Sequence, residues 1–190
     1  ECKVDRLFFL TAKTPGRQLA LDAIETLRLA CYDLQLRVLE HVARDKACVY
    51  PDRACHGESC PLAAGFYDRL PAARAEAVTQ RWLSHETISA IASRHSVCPY
   101  YLSQELAKWS DVFIGDCNYY FDMSALMYAY TVINEWRVTV LVDEAHNLVD
   151  RARGMYTAAL DSRALVEARE VAPRSLRKSF DRCWEVWHRC

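Results

Sequence analysis

The sequence predicts an α/β fold, a parallel sheet with flanking helices that is interrupted by a mainly helical segment rich in cysteine. Three observations predict it. The short apolar runs Leu7–Leu10, Val112–Ile114 and Val138–Val142 are each followed by polar loop residues and then by helix-like periodicity. Between the first two runs lie Cys48, Cys55, Cys60 and Cys98, in a stretch that breaks this alternation. The 190 residues, 52% apolar and 26% charged, suffice for one ordinary core and its polar cover.

Taken in order, Leu7-Phe8-Phe9-Leu10 reads as a strand that ends in the polar loop Thr11-Ala12-Lys13-Thr14. Pro15 and Gly16 end the extended run, and Pro suits the first helical turn. Ala20, Ala23, Ile24, Leu27 and Cys31 then follow the i, i+3, i+4, i+7 spacing of a buried helix face. Leu36–Glu40 alternates loosely and reads as a second strand. The next stretch, Ala47 to Pro61, has the Gly, Pro and polar character of a loop that wraps something. Ser84 is placed to cap a helix whose apolar stripe is Ile88, Ile91 and Ala92. Pro99 opens another, with Leu102, Leu106 and Trp109 on one face. Strand–helix alternation resumes with Val112–Ile114, a helix over 124–133, and Val138–Val142, expected to be buried on both faces. Helical segments follow to the end, where residues 151–190 carry nine Lys or Arg against five Asp or Glu.

Composition excludes several classes. Lys plus Arg (24) nearly balances Asp plus Glu (25), so the chain is not a globally basic coat for nucleic acid, although a local basic groove is allowed. No run approaches the roughly 18 apolar residues of a membrane-spanning helix. A coiled-coil rod and a disordered tail are excluded as well. The chain opens at Glu1-Cys2 with no leader pattern and stops at Cys190 inside a helical segment, and so reads as a piece of a longer protein.

The nine cysteines are odd in number and unevenly placed, which argues against a secreted disulfide framework. Four thiolates separated by 6, 4 and 37 residues can hold a zinc ion or an iron–sulfur cluster. Each close pair is looser than the C-x2-C of zinc knuckles, which leans towards the larger cubane, with His56 a competing zinc ligand. Cys31, Cys117, Cys183 and Cys190 read as small buried hydrophobes. Cys2, at the chain's start, carries no reading of its own.

The tetrapeptide Asp143-Glu144-Ala145-His146 follows a β-favouring run directly, and the carboxyl end of a buried parallel strand is where such sheets place functional groups. In nucleotide hydrolases the first carboxylate helps to hold Mg²⁺ and the second orients or deprotonates the attacking water. A histidine at the position of His146 can relay the state of the phosphate site. The bland alternative is an acidic helix start stabilised by the helix dipole.

Read in order, Phe8–Thr14, the four cysteines, Cys98-Pro99-Tyr100-Tyr101-Leu102, Asp111–Tyr119 and Val142–Asn147 resemble the XPD/DinG family of superfamily-2 helicases, over essentially the whole chain. The resemblance implies a partial RecA-like first helicase lobe over 1–46 and 110–154, an iron–sulfur domain over 47–109, and the start of a helical arch over 155–190. It makes Cys48, Cys55, Cys60 and Cys98 the ligands of a 4Fe-4S cluster. Asp143 becomes the Mg²⁺ carboxylate, Glu144 the water-activating one and His146 the coupling position. Thr11, Lys13 and Thr14 fall in the motif that holds phosphates of a single DNA strand. Arg69, Arg81, Tyr100 and Tyr101 are candidates, by composition, for a basic and aromatic DNA path. The implied protein is an ATP-dependent 5′-to-3′ DNA helicase of repair or replication, monomeric and off the membrane. It meets single strands and duplex junctions, in a bacterial cytoplasm near the nucleoid or in a nucleus. Two departures matter: the phosphate loop G-x-x-x-x-G-K-[ST] is absent from this sequence, as is the second lobe, so this stretch alone is expected to be inactive. The alternative from another class is a non-catalytic, zinc- or cluster-stapled nucleic-acid-binding module.

Overall fold

A computed structural model describes residues 3–123, 125–159 and 161–189. Five short strands form one parallel sheet: β1 (Arg6–Leu10), β2 (Val38–Glu40), β3 (Trp82–Leu83), β4 (Val112–Gly115) and β5 (Val138–Val142), in the order β3-β2-β4-β1-β5. The α/β fold predicted from the sequence is therefore the one observed. β1 is central to the candidate site because it pairs with both β4 and β5, with Leu10 opposite Gly115 on one side and Val142 on the other. That register brings the loops after β1, β4 and β5 to one carboxyl edge.

The first helix, α1 (Thr14–Ala30), buries Ala20, Leu21 and Ile24 against Val38, Val112 and Ile114. Ala23, Leu27 and Cys31, expected on its buried face, are exposed. Ala23 lies off the face that Ala20, Leu21 and Ile24 set; for Leu27 and Cys31 the reason is length. Seventeen helical residues run for about 25 Å at 1.5 Å per residue. Strands of three to five residues reach no more than about 17 Å at 3.3 Å per residue, so the second half of α1 overshoots the sheet.

The inserted segment begins with a single helical turn, α2 (Arg44–Ala47), and then runs without helix or strand from Cys48 to Gly65. Gly65 sits in the left-handed region at φ 61°, a conformation that favours glycine, and there the chain enters α3 (Phe66–Ala77). Trp82–Leu83, within the span expected to be inserted, instead returns to the main sheet and pairs with β2. Two residues are too short for a periodicity to show. Then come α4 (His85–Arg94) and α5 (Pro99–Leu106), which with α3 enclose Leu70, Ala73, Ile88, Ile91, Leu102 and Leu106. Ser84 caps α4 as expected, its side chain accepting from the Thr87 N–H at 3.3 Å. Trp109 lies beyond α5 in a 3-10 turn and is exposed instead of sharing the buried face; the Arg74 guanidinium stands over its ring at 5.5 Å. Arg37, just before β2, donates to the carbonyls of Val78 and Trp109 and so ties the insertion back to the sheet.

After β4 come α6 (Asn118–Phe121), α7 (Leu126–Ile133), β5 and α8 (Leu148–Met155). The helix expected over 124–133 is thus found from Leu126; residue 124 lies outside the described residues. β5 is half-exposed along its length, with Leu141 45% exposed, contrary to the expectation of burial on both faces. Its place at the edge of the sheet, paired with β1 alone among the described residues, explains this.

Residues 153–190 form a second compact unit. Within it α9 (Ser162–Val171), capped by Asp161, and α10 (Arg174–Trp187) contact one another, with Leu165 and Ala172 buried and an Arg169–Asp181 ion pair at 2.6 Å. Cys183, expected to be buried, is exposed on α10, whereas Cys117 is buried as expected. Cys2 and Cys190 lie outside the described residues. Among the described residues no helix is long and apolar enough to cross a membrane.

Candidate functional site

The acidic tetrapeptide leaves the sheet at the end of β5. The Asp143 N–H still donates to the Leu10 carbonyl (2.9 Å), so the ladder carries Asp143 to the level of Thr11. Thr11 is buried, and its hydroxyl donates to Asp143 Oδ2 at 3.0 Å. Gly16 makes that contact possible: a Cβ there would collide with both Thr11 Oγ1 and Asp143 Oδ2. Glu144 turns the chain in the left-handed region at φ 53°, a strained conformation for a non-glycine residue, of the kind that gathers at functional sites. Its Oε1 lies 3.7 Å from Lys13 Nζ and its Oε2 lies 3.3 Å from His146 Nε2. Thr11, Lys13, Asp143, Glu144 and Arg151 help to line a cleft of about 30 Å³, room for a water molecule. Arg151 is held there by Asp116, at 3.1 Å.

Thr14, the last residue of the loop, accepts from both Arg17 Nη2 (3.1 Å) and Lys46 Nζ (3.3 Å). Of the predicted phosphate-binding residues, Thr11 and Lys13 therefore touch the acidic pair, whereas Thr14, next in the chain, gathers the cations Arg17 and Lys46. Arg17, one helical turn after Thr14, was legible as a neighbour. Lys46 and Arg151 come from distant segments and carried no local signal.

The four central cysteines converge. Cys48, Cys55, Cys60 and Cys98 all line one cavity of about 350 Å³, together with Tyr50, Arg53, His56, Phe66, Tyr67 and Tyr101. All are free thiols. Cys98 occupies the N-cap position of α5. Burial pushes its thiol up, and neighbouring Cys48 and Cys60 push the same way; the backbone N–H groups of Tyr100 and Tyr101 draw it down. His56, the competing ligand, pairs its Nε2 with Ser59 Oγ at 3.1 Å. Among the described residues no three His, Cys, Asp or Glu side chains close to the spacing that one metal ion demands.

The proposed basic and aromatic path is not assembled as one groove. Arg69 donates to the carbonyls of Ala64 (2.6 Å) and Ser96 (3.0 Å), clasping the cysteine loop to the α4–α5 turn. Tyr101 faces the cysteine cavity. Tyr100 packs against His41 and accepts from Gln104. Arg81 precedes β3 and so stands at the amino edge of the sheet, opposite the acidic pair.

A parallel sheet with an acidic pair and a hydroxyl–lysine loop at its carboxyl edge, beside a four-cysteine insertion, defines a helicase-like lobe. Residues 17–165 match the DEAD_2 family model, and the chain belongs to the DEAD_2 family, the XPD-like group of superfamily-2 helicases that its motifs resemble. It is 25% identical over 172 residues to the "Regulator of telomere elongation helicase 1 homolog" of Anopheles gambiae, covering 84% of this chain and 17% of that protein. It is likewise 25% identical over 186 residues to the "Fanconi anemia group J protein homolog" of Gallus gallus, covering 88% of this chain and 14% of that one. The chain thus spans about a sixth of the length of these relatives. Among solved structures, "Truncated XPD" shares the fold with a TM-score of 0.58 at 15% identity, over 94% of this chain and 52% of that one.

Proposed function

We propose that the chain is the first-lobe segment of an ATP-dependent 5′-to-3′ DNA helicase whose insertion, within 47–109, is stapled by a 4Fe-4S cluster on Cys48, Cys55, Cys60 and Cys98. The observation that carries the reading is the convergence of these four thiols, up to fifty residues apart in sequence, on one cavity. In a cubane each thiolate takes a different iron, so four sulfurs spread around a cavity of about 350 Å³ suit it better than a single zinc, whose ligands crowd to about 2.3 Å from one centre. When bound, the cluster supplies four iron–thiolate links to a loop that has little core of its own. At the other end of the site, Asp143 is the carboxylate for Mg²⁺ on a nucleotide. Glu144 orients the attacking water and accepts its proton. Lys13 and Thr14 hold phosphates of one DNA strand, aided by Arg17 and Lys46, while Thr11, expected to join them, is buried with its hydroxyl on Asp143 and braces the loop instead. The enzyme works as a monomer on single strands and duplex junctions in repair or replication, in a cytoplasm near the nucleoid or in a nucleus. Catalysis needs a phosphate loop and a second lobe, so residues 1–190 alone do not turn over ATP.

The test is anaerobic purification with absorbance near 400 nm and iron, sulfide and zinc analysis, on wild type and Cys98→Ser. A broad brown absorbance with about four irons per chain, lost in the variant, is expected. A colourless protein holding one zinc would move the assignment to the non-catalytic binding module.

A further inference from the structure

The loop assigned to DNA phosphates and the carboxylate assigned to water activation touch each other. Because β1 and β5 are in register from Arg6–Val138 to Leu10–Val142, the residues just beyond them leave the sheet side by side. Two contacts result: Thr11 to Asp143, short and buried on the threonine side, and Lys13 to Glu144, long and open to solvent. The first is a fixed brace, since the Gly16 backbone leaves no space for either partner to swing towards it. The second is different in kind. Lys13 is 65% exposed and its ammonium rides on a flexible four-carbon stem, free to follow a better partner. Glu144 Oε1 faces the Lys13 ammonium and Oε2 faces His146 Nε2, so a water that takes Oε1 shares that oxygen with a cation.

We propose that Lys13 is a nucleic-acid-responsive restraint on Glu144. With the loop empty, the ammonium holds the carboxylate; a DNA phosphate arriving at Thr14, drawn also by Arg17 and Lys46, takes Lys13 away and frees Glu144 Oε1 for the attacking water. Asp143 keeps its brace from Thr11 throughout, so the Mg²⁺ carboxylate does not move while the base is released. An exposed ion pair is weak enough for this exchange, and a polyanionic strand is the natural competitor for its cation. The mechanism rests on the helicase reading above and specifies how strand binding and ATP turnover are coupled in it.

The experiment measures ATP turnover by the full-length helicase with no DNA and at saturating oligothymidylate, with oligothymidylate affinity measured separately by fluorescence anisotropy. Lys13→Ala and Lys13→Gln are expected to raise the DNA-free rate up to about fivefold, the most that an exposed pair supports. The ratio of saturated to DNA-free rates falls accordingly, whereas Lys13→Arg keeps the wild-type ratio. A Lys13→Ala enzyme whose ratio matches wild type, or whose DNA-free rate drops, overturns the restraint and leaves the helicase reading standing. Wild type with neither ATP turnover nor oligothymidylate binding overturns that reading and the restraint with it.

Discussion

At the scale of single residues, His41 shows how closely the insertion is keyed to the sheet. It follows β2 directly and is fully buried, its ring between Tyr100, Phe113 and Tyr119. Ser103 Oγ donates to the Tyr100 carbonyl (2.8 Å), so it accepts from His41 Nδ1–H at 2.7 Å. That assigns the proton to Nδ1 and leaves Nε2 a bare acceptor, without a hydrogen-bond partner. Burial, reinforced by the nearby Arg17 charge, pushes the imidazole down from 6.5 to about 3. The unfolded chain therefore binds a proton between those values that the folded one refuses. The stability tied to His41 is complete above about pH 6.5 and is lost as pH falls towards 3. Thermal melts of residues 1–190 should show the midpoint falling more steeply between pH 6.5 and 5 for wild type than for His41→Gln. Parallel curves would mean that His41 does not titrate on unfolding.

At the scale of elements, the helices of the insertion are set by their starts. Ser84 receives the Thr87 N–H, and the Glu40 carboxylate, reaching from β2, receives that of His85. Two of the orphan donors of α4 are thus satisfied, one of them by the sheet itself. Ser84→Ala should lower stability by about 1 kcal/mol in chemical denaturation, while Ser84→Asp restores it. The cap and the stripe Ile88, Ile91 and Ala92 were legible because N-caps and 3.6-residue periods are local signals. α1 was legible as a helix but not in its exposed half, since the length of the sheet beneath it is not encoded in its own periodicity. The edge position of β5 escaped for a related reason: the apolar run Val138–Val142 looks the same whether one neighbour covers it or two.

At the scale of the whole molecule, the stretch from Cys48 to Gly65 has turns but no helix or strand, and is largely exposed. The Arg69 clasp to Ala64 and Ser96 anchors its far end. With the proposed cluster in place, four further attachments would make this loop as resistant as its surroundings. Limited proteolysis should accordingly cut within 48–65 once iron is chelated or Cys98 is changed to Ser, and leave the holoprotein intact there. Equal cleavage with and without iron would show that the loop is held by its protein contacts alone.

The sequence by itself determined the features that are local: the strand–loop–helix order, the caps, the acidic tetrapeptide after an apolar run, and four cysteines in one stretch. Its ordered motifs also pointed to the helicase family. Tertiary structure decided which distant pieces meet: Lys13 with Glu144, Lys46 with Thr14, Arg151 with Asp116, and four thiols around one cavity. It also decided which apolar residues are covered, exposing Leu27, Cys31 and Leu141. The physical reason is that periodicity records which face of an element is apolar. Strand order and register, which no single element contains, select the neighbour that each face and each strand end will find.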